Sequence, residues 1–240
     1  MPSPLSNLEA SERKVCSQNG EDGVIEAIFA EIGVTNRFCV EFGCENGSEC
    51  NTVHLLNQGW SGLLMDCDVW RHPNFIIYNE FVTAENIDSL LRQYQVPHSF
   101  DLLSIDIDGN DFWVWMQIRH RPRLVVIEYN SHVPAQLCRS IRYDPGFQWV
   151  GTDYFGASLL ALKELGLLKG YTLVHCEQAG ANAFFIADEA LPAGYVPRPI
   201  EQIYRKTNYF YKRMGFVRDQ LRTMIDPFAL LGNYFQIDVG

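Results

Sequence analysis

Residues 37–47 read RFCVEFGCENG, a short apolar run that ends in one glycine and is followed by another. A continuous apolar run of this length is typical of a strand buried on both faces, as in a parallel sheet. Similar runs follow along the chain at residues 61–66 (SGLLMD), 74–82 (NFIIYNEFV), 100–106 (FDLLSID) and 123–129 (RLVVIEY). The sequence therefore predicts five parallel strands.

The segments between and after these runs predict the rest of the fold. Amphipathic stretches, which predict helices on both faces of the sheet, lie at residues 21–32, 48–57, 84–94 and 111–118. Later segments predict a long loop at 131–151, a helix at 157–168, strands at 171–177 and 182–187, and a helix at 201–214. The gap QAGA between the last two strands suits an antiparallel hairpin better than a crossover.

Length and composition bound the possible functions. The 240 residues, 47% of them hydrophobic, provide enough apolar material for one domain with one large core. The formal net charge of −10 argues against binding to nucleic acid or to an anionic membrane surface. No apolar run is long enough to span a bilayer. Seven cysteines without a Cys-x-x-Cys motif indicate reduced thiols, and we expect a cytoplasmic protein.

Polar residues follow the first two predicted strands. Gly43 and Gly47 allow a tight turn and a close approach of the backbone to a ligand, although they also fit an ordinary strand-to-helix turn. Glu41 can accept hydrogen bonds from an ammonium or from hydroxyl groups. Asp66 ends the second strand at a spacing suited to holding the ribose hydroxyls of a nucleoside. A dinucleotide fingerprint and a P-loop are both absent from the sequence.

The segment 106–111 (DIDGND) closes the fourth predicted strand with three carboxylates. Carboxylates directly after a buried run are costly unless something compensates their charge. The pattern leaves three interpretations open: a divalent cation or a catalytic role, ligand binding without metal, or hydrogen bonding to the backbone and capping of the next helix. The position of Gly109 excludes an EF-hand loop.

The fifth predicted strand also ends in polar side chains, namely Glu128 and Asn130, and His132 follows them. In open α/β sheets, ligands bind at the carboxyl ends of the strands. We therefore expect one site there, formed by Glu41, Asp66, Asp106, Asp108, Glu128 and Asn130. His132 could act as a base, although a single loop histidine is more often solvated or structural.

The chain resembles the class I S-adenosylmethionine-dependent methyltransferases and, more narrowly, the FkbM-type group. The resemblance covers roughly residues 15–188. Its segments are 17–22 (SQNGED), 40–43 (VEFG), 51–52 (NT), 59–66 (GWSGLLMD), 105–109 (IDIDG) and 180–185 (GANAFF). It implies an α/β, Rossmann-like class I methyltransferase fold with a mostly parallel seven-stranded sheet, a terminal antiparallel hairpin and helices on both faces. The domain would span 1–240, with a core at about 15–188 and a C-terminal helical extension at 189–240.

The resemblance also implies roles for individual residues. Those that would bind S-adenosylmethionine are Gln18, Glu41, Gly43, Asn46, Gly47, Asn51, Asp66, Thr83, Ala84 and Asp106. Among these, Asp66 would hold the ribose, the Thr83–Ala84 region would flank the adenine, and Asp106 would lie beside the methionine end. In metal-dependent O-methyltransferases the corresponding strand ends hold magnesium, which implies Asp106, Glu128 and Asn130 as metal ligands here.

We therefore expect a methyltransferase that transfers a methyl group from S-adenosylmethionine to a hydroxyl of a small molecule or sugar, with Asp108 or His132 as base and possible help from Mg²⁺. One alternative is a glycosyltransferase that holds a metal through Asp106 and Asp108. Another is a non-catalytic binding member of the fold. Neither a nucleic acid nor a membrane is an expected partner, and a homo-oligomer remains open.

Overall fold

The computed structural model of the chain describes residues 4–207 and 217–229. Its centre is one seven-stranded sheet in the order β3-β2-β1-β4-β5-β7-β6. The strands are β1 (Phe38–Phe42), β2 (Ser61–Asp66), β3 (Ile77–Asn79), β4 (Ser99–Ile105), β5 (Arg121–Glu128), β6 (Tyr171–Cys176) and β7 (Asn182–Ala187). Strands β1 to β5 are parallel to one another, whereas β7 runs antiparallel to both β5 and β6. The predicted fold class, an α/β, Rossmann-like, mostly parallel seven-stranded sheet with a terminal antiparallel hairpin, is confirmed.

Helices follow most of the strands. They are α1 (Glu21–Ile32), α2 (Val53–Asn57), α3 (Ile87–Gln93), α4 (Asp111–Gln117), α5 (Leu159–Leu168) and α6 (Ile200–Ile203), preceded by a 3-10 helix at Pro4–Ser11. Ser158 caps α5 by accepting a hydrogen bond from the backbone N–H of Ala161. None of the helices in the described ranges is both long enough and apolar enough to cross a membrane.

The sheet separates two hydrophobic cores because successive side chains of a strand point to opposite faces. In β5, Val125 and Ile127 belong to the core that contains α4 and α5, and Leu124 and Val126 belong to the one on the other face. The second core includes α1 and also Leu8 of the first 3-10 helix. Packed residues therefore begin in the first 3-10 helix.

Three predicted elements differ in extent. The third strand was expected at residues 74–82, but β3 pairs only through Ile77–Asn79 and lies at the edge of the sheet, where it has one neighbouring strand. Helix α2 begins at Val53 and not at residue 48. The tail helix expected at 201–214 is a short helix, Ile200–Ile203, with non-helical residues up to 207; residues 208–214 lie outside the described residues.

Candidate functional site

A cavity of about 520 Å³ opens at the carboxyl ends of the parallel strands. Its size is within the range common for small-molecule sites. The predicted site residues that line it are Gln18, Glu41, Gly43, Asn51, Asp66, Asp106, Asp108 and Glu128. The structure thus brings together strand ends that are up to 87 residues apart in sequence, because neighbouring parallel strands end at the same edge of the sheet.

Glu41 lies at the end of β1, and both of its carboxylate oxygens accept hydrogen bonds from within the protein. Its Oε1 accepts a hydrogen bond from the Asn51 N–H at 2.8 Å, and its Oε2 accepts from the N–H and the hydroxyl of Thr52 at 3.0 and 2.5 Å. These bonds hold the turn before α2 and place Asn51 against the cavity. Burial raises the pKa of Glu41, although the hydrogen bonds from Asn51 and Thr52 oppose this shift.

Asp66 is 6% exposed and organises the cavity wall at the end of β2. Its Oδ2 accepts a hydrogen bond from the Glu45 N–H at 2.8 Å. Its Oδ1 accepts from the Asp68 N–H at 2.9 Å and from the Trp70 indole N–H at 3.0 Å. A carboxylate has about four acceptor sites, so Asp66 retains capacity for a ligand hydroxyl while it fixes two loops.

The glycines of the first motif are required by contacts within the protein. Gly43 has a φ of +73°, and a Cβ there would lie 1.6 Å from the backbone oxygen of Asp106. Gly47 has a φ of +82°, and a Cβ there would lie 2.8 Å from the His72 ring. Only Gly43 lines the cavity. Its small size lets the ends of β1 and β4 approach each other closely.

Three carboxylates form the floor of the cavity. Single oxygens of Asp106, Asp108 and Glu128 all lie within 4.8 Å of one another. Burial, followed by the charge of Asp108, raises the pKa of Asp106 well above its usual value. Burial and the charge of Asp106 do the same for Glu128. The cluster therefore holds protons, or a cation, more readily than separate surface carboxylates would.

The third carboxylate of the DIDGND segment, Asp111, has a structural role. Its two oxygens accept hydrogen bonds from the N–H groups of Ile107 and Gly109, both at 2.9 Å. It begins α4 and is fully buried, and burial raises its pKa to about 6. The backbone-bonding interpretation therefore applies to Asp111, while Asp106 and Asp108 line the cavity.

Several predicted site residues do not line the cavity: Asn46, Gly47, Thr83, Ala84, Asn130 and His132. Asn46 is exposed, and its Oδ1 accepts a hydrogen bond from the Ser48 N–H. After β3 the lining residues are Glu80, Phe81 and Val82, directly before the Thr83–Ala84 region. The Thr83 N–H donates to Asn86 instead.

Asn130 and His132 serve the loop after β5. Asn130 is fully buried and donates hydrogen bonds to the backbone oxygens of Asp153 and Phe155, both at 2.9 Å. Its Oδ1 accepts from the His132 N–H at 3.0 Å. Since both ends of the amide are engaged away from the carboxylate floor, the geometry does not support Asn130 as a metal ligand. The His132 ring contacts Phe155, and burial lowers its pKa.

The structure adds cavity residues that the sequence analysis did not include in the site. Aromatic side chains on the wall are Trp70, Phe81, Phe147 and Trp149, and an amide on the floor is Asn182 at the start of β7. One signal in the sequence could have found Asn182. The first residue of an antiparallel strand lies at the edge where the parallel strands end, and a hairpin was predicted there.

The cavity is strongly acidic. Its described lining residues include nine carboxylates but neither lysine, arginine nor histidine. A negative cavity with apolar walls raises the local concentration of cationic ligands and disfavours anions. A ligand with several phosphates would therefore need a cation that the lining residues themselves do not provide.

Comparisons with known proteins give a distant structural similarity. No model of a known protein family matches the chain, and no curated protein matches it. Among solved structures, the chain is similar to a protein assigned as a ribosomal RNA methyltransferase from Plasmodium falciparum, at 13% sequence identity and a TM-score of 0.38. The match covers 72% of this chain and 97% of that chain. A similarity this distant carries no conclusion about activity or substrate.

Proposed function

We propose that the protein is a methyltransferase of the FkbM-like type that transfers a methyl group from S-adenosylmethionine to a hydroxyl of a small molecule or sugar. The observation that carries the proposal is the convergence of Glu41, Asp66, Asp106 and Glu128, from four different strands, on one cavity in a class I methyltransferase fold. Seven free thiols are consistent with a cytoplasmic protein.

The cofactor would lie across the ends of β1, β2 and β4. Asp66 would accept hydrogen bonds from the ribose hydroxyls, and the apolar side chains of Phe81 and Val82 would contact the adenine. Gln18, Asn51 and Asp106 line the cavity on the side where the methionine end would lie. When bound, S-adenosylmethionine supplies a methyl group on a sulfonium, which is already a good leaving centre, so the protein mainly aligns donor and acceptor.

The residues of the floor fit a divalent cation. Asp106, Asp108 and Glu128 offer hard oxygen ligands within 4.8 Å of one another, and the Oε2 of Glu128 is buried with no hydrogen-bond partner among the described residues. A bound Mg²⁺ would lower the pKa of an acceptor hydroxyl. We favour Asp108 over His132 as the base, through the carboxylate oxygen that would not hold the cation, because Asp108 lines the cavity and His132 does not.

The acidic cavity argues against the alternatives with anionic substrates. A nucleic-acid enzyme must bind phosphates, yet the described lining residues include no cationic side chain. For the same reason a glycosyltransferase would have to hold its nucleotide diphosphate through the bound cation alone. A neutral polyol or sugar fits the carboxylates and aromatic walls better. We therefore propose a neutral polyol or sugar as the class of methyl acceptor.

A calorimetric titration of the whole chain with S-adenosylmethionine tests the proposal. We expect one molecule to bind per chain and methyl transfer to a panel of polyols and sugars to stop in excess EDTA. Unchanged turnover in EDTA would remove the metal from the mechanism. Absence of cofactor binding would contradict the methyltransferase itself, and binding without turnover on any acceptor would favour a non-catalytic member of the fold.

A further inference from the structure

Two side chains of the cavity floor are direct neighbours across the sheet. Glu128 ends β5 and Asn182 begins β7, and the two residues are partners in the antiparallel ladder. Side chains of directly opposed residues lie on the same face of a sheet, with Cβ atoms about 5 Å apart. Both residues line the cavity, and they are only 9% and 3% exposed.

The amide of Asn182 is held in one orientation. Its Nδ2 donates a 2.9 Å hydrogen bond to the Oε1 of Glu21, which also accepts from the Asn19 amide. Glu21 is fully buried, and as a carboxylate it can only accept, so it selects the nitrogen end of the Asn182 amide. The Oδ1 of Asn182 therefore faces away from Glu21.

Neither Asn182 Oδ1 nor Glu128 Oε2 has a hydrogen-bond partner among the described residues. A buried acceptor without a partner destabilises the folded state, because it loses its hydrogen bonds to water and gains none in the protein. The two oxygens belong to paired positions of one ladder, and Glu128 is part of the carboxylate cluster with Asp106 and Asp108. Together these observations indicate a shared ligand of positive charge.

We propose that Asn182 Oδ1 binds the same divalent cation as Asp106, Asp108 and Glu128, in the role that the sequence suggested for Asn130. This inference rests on the cation part of the proposed function and adds a neutral ligand from β7. Three carboxylates and an amide oxygen are a hard donor set typical of Mg²⁺, Mn²⁺ or Ca²⁺. A divalent ion also compensates more of the negative charge of three carboxylates than an ammonium does.

Binding of Mn²⁺ to the whole chain without S-adenosylmethionine, followed by electron paramagnetic resonance, tests the inference. We expect the wild type to bind one Mn²⁺ ion per chain, and Mg²⁺ to displace it. In Asn182→Ala the affinity for Mn²⁺ should be at least about tenfold lower, since even residues that only support a metal ligand change metal affinity 10–100-fold. Asn74→Ala, at an exposed asparagine, is the control and should bind as the wild type does.

A second variant keeps the test decisive if Asn182→Ala fails to fold. Asn182→Asp adds a fourth carboxylate to the three of the cavity floor and places it next to Glu21. Repulsion between these charges should lower the melting temperature in EDTA. Because the added carboxylate is also a stronger ligand for a cation, Mn²⁺ should raise the melting temperature of this variant by more than it raises that of the wild type. Wild-type affinity in Asn182→Ala, or a wild-type Mn²⁺ response in Asn182→Asp, would overturn the inference.

The probe 1,4-diaminobutane separates an ammonium site from a metal site. If the wild type binds this amine and does not bind Mn²⁺, the inference is also overturned. Because none of these measurements uses the cofactor, a parallel titration with S-adenosylmethionine shows whether the proposed methyltransferase stands when the inference fails.

Discussion

Asp66 combines two tasks at one residue. Its carboxylate fixes the loops after β1 and β2 through Glu45, Asp68 and Trp70, and it lines the cavity where a ribose would lie. A residue with both tasks affects ligand binding directly and through the shape of the wall. The effect of substituting Asp66 must therefore be compared with the effect of substituting a neighbouring residue of the same charge.

We predict that Asp66→Ala weakens the binding of S-adenosylmethionine by about 1–3 kcal/mol, the cost of a lost hydrogen bond to a charged group. Isothermal titration calorimetry measures this. Asp68→Ala removes the same charge from the same loop at an exposed position, and its effect should be clearly smaller. Equal effects of the two substitutions would show that charge, and not the ribose contact, explains the loss.

At the scale of elements, the packing of β1 against β4 sets the shape of the cavity. The two strands are paired from Cys39 to Phe42 of β1, and the Asp106 N–H donates to the Phe42 backbone oxygen just beyond the ladder. Gly43 follows directly, with no room for a side chain. Any atom added there must separate the two strand ends that carry Glu41 and Asp106.

We predict that Gly43→Ala lowers the free energy of unfolding by more than Gly59→Ala, as measured by urea denaturation. Both glycines have a positive φ, so both substitutions add about 1–2 kcal/mol of backbone strain. A Cβ at Gly59 meets nothing within 4 Å, whereas one at Gly43 meets a backbone oxygen. Equal losses in the two variants would contradict the close approach of β1 and β4.

At the scale of the whole molecule, buried carboxyls make stability depend on pH. Glu177, in the turn between β6 and β7, accepts hydrogen bonds from the N–H groups of Ala179, Ala181 and Asn182. Burial, followed by the charge of Glu21, raises its pKa from an ordinary value of 4.5 to about 7. The folded state therefore holds this proton more tightly than the unfolded state does.

We predict that wild-type stability, relative to Glu177→Gln, falls as pH rises from about 4.5 to about 7. The raised pKa gives a contribution that is fully present below 4.5 and is lost as pH passes through about 7. The shift corresponds to a relative change on the order of 3 kcal/mol. Chemical denaturation of both proteins across this range measures it, and parallel pH profiles would disprove the raised pKa.

The strands of this molecule could be predicted from the sequence because a strand that is buried on both faces is a continuous run of apolar residues. Because ligands bind at the carboxyl ends of parallel strands, the sequence also predicted that Glu41, Asp66, Asp106 and Glu128 share one edge of the sheet. The edge strand β3 was predicted too long, since the apolar residues flanking it do not show that only three positions pair. The residues after β3 that line the cavity, Glu80, Phe81 and Val82, precede the predicted Thr83 and Ala84, because loop conformation after a short strand leaves no periodic pattern.

By itself, the sequence determined the order of strands and helices and the acidic character of the strand ends, because both follow from residue types at neighbouring positions. Only the tertiary structure decided which polar atoms face the cavity. Asn130 turns its amide to its own loop, whereas Asn182 turns its nitrogen to Glu21, 161 residues away. Hydrogen-bond partners of buried groups are chosen among side chains that meet only after the chain has folded, so no local pattern could distinguish these two asparagines.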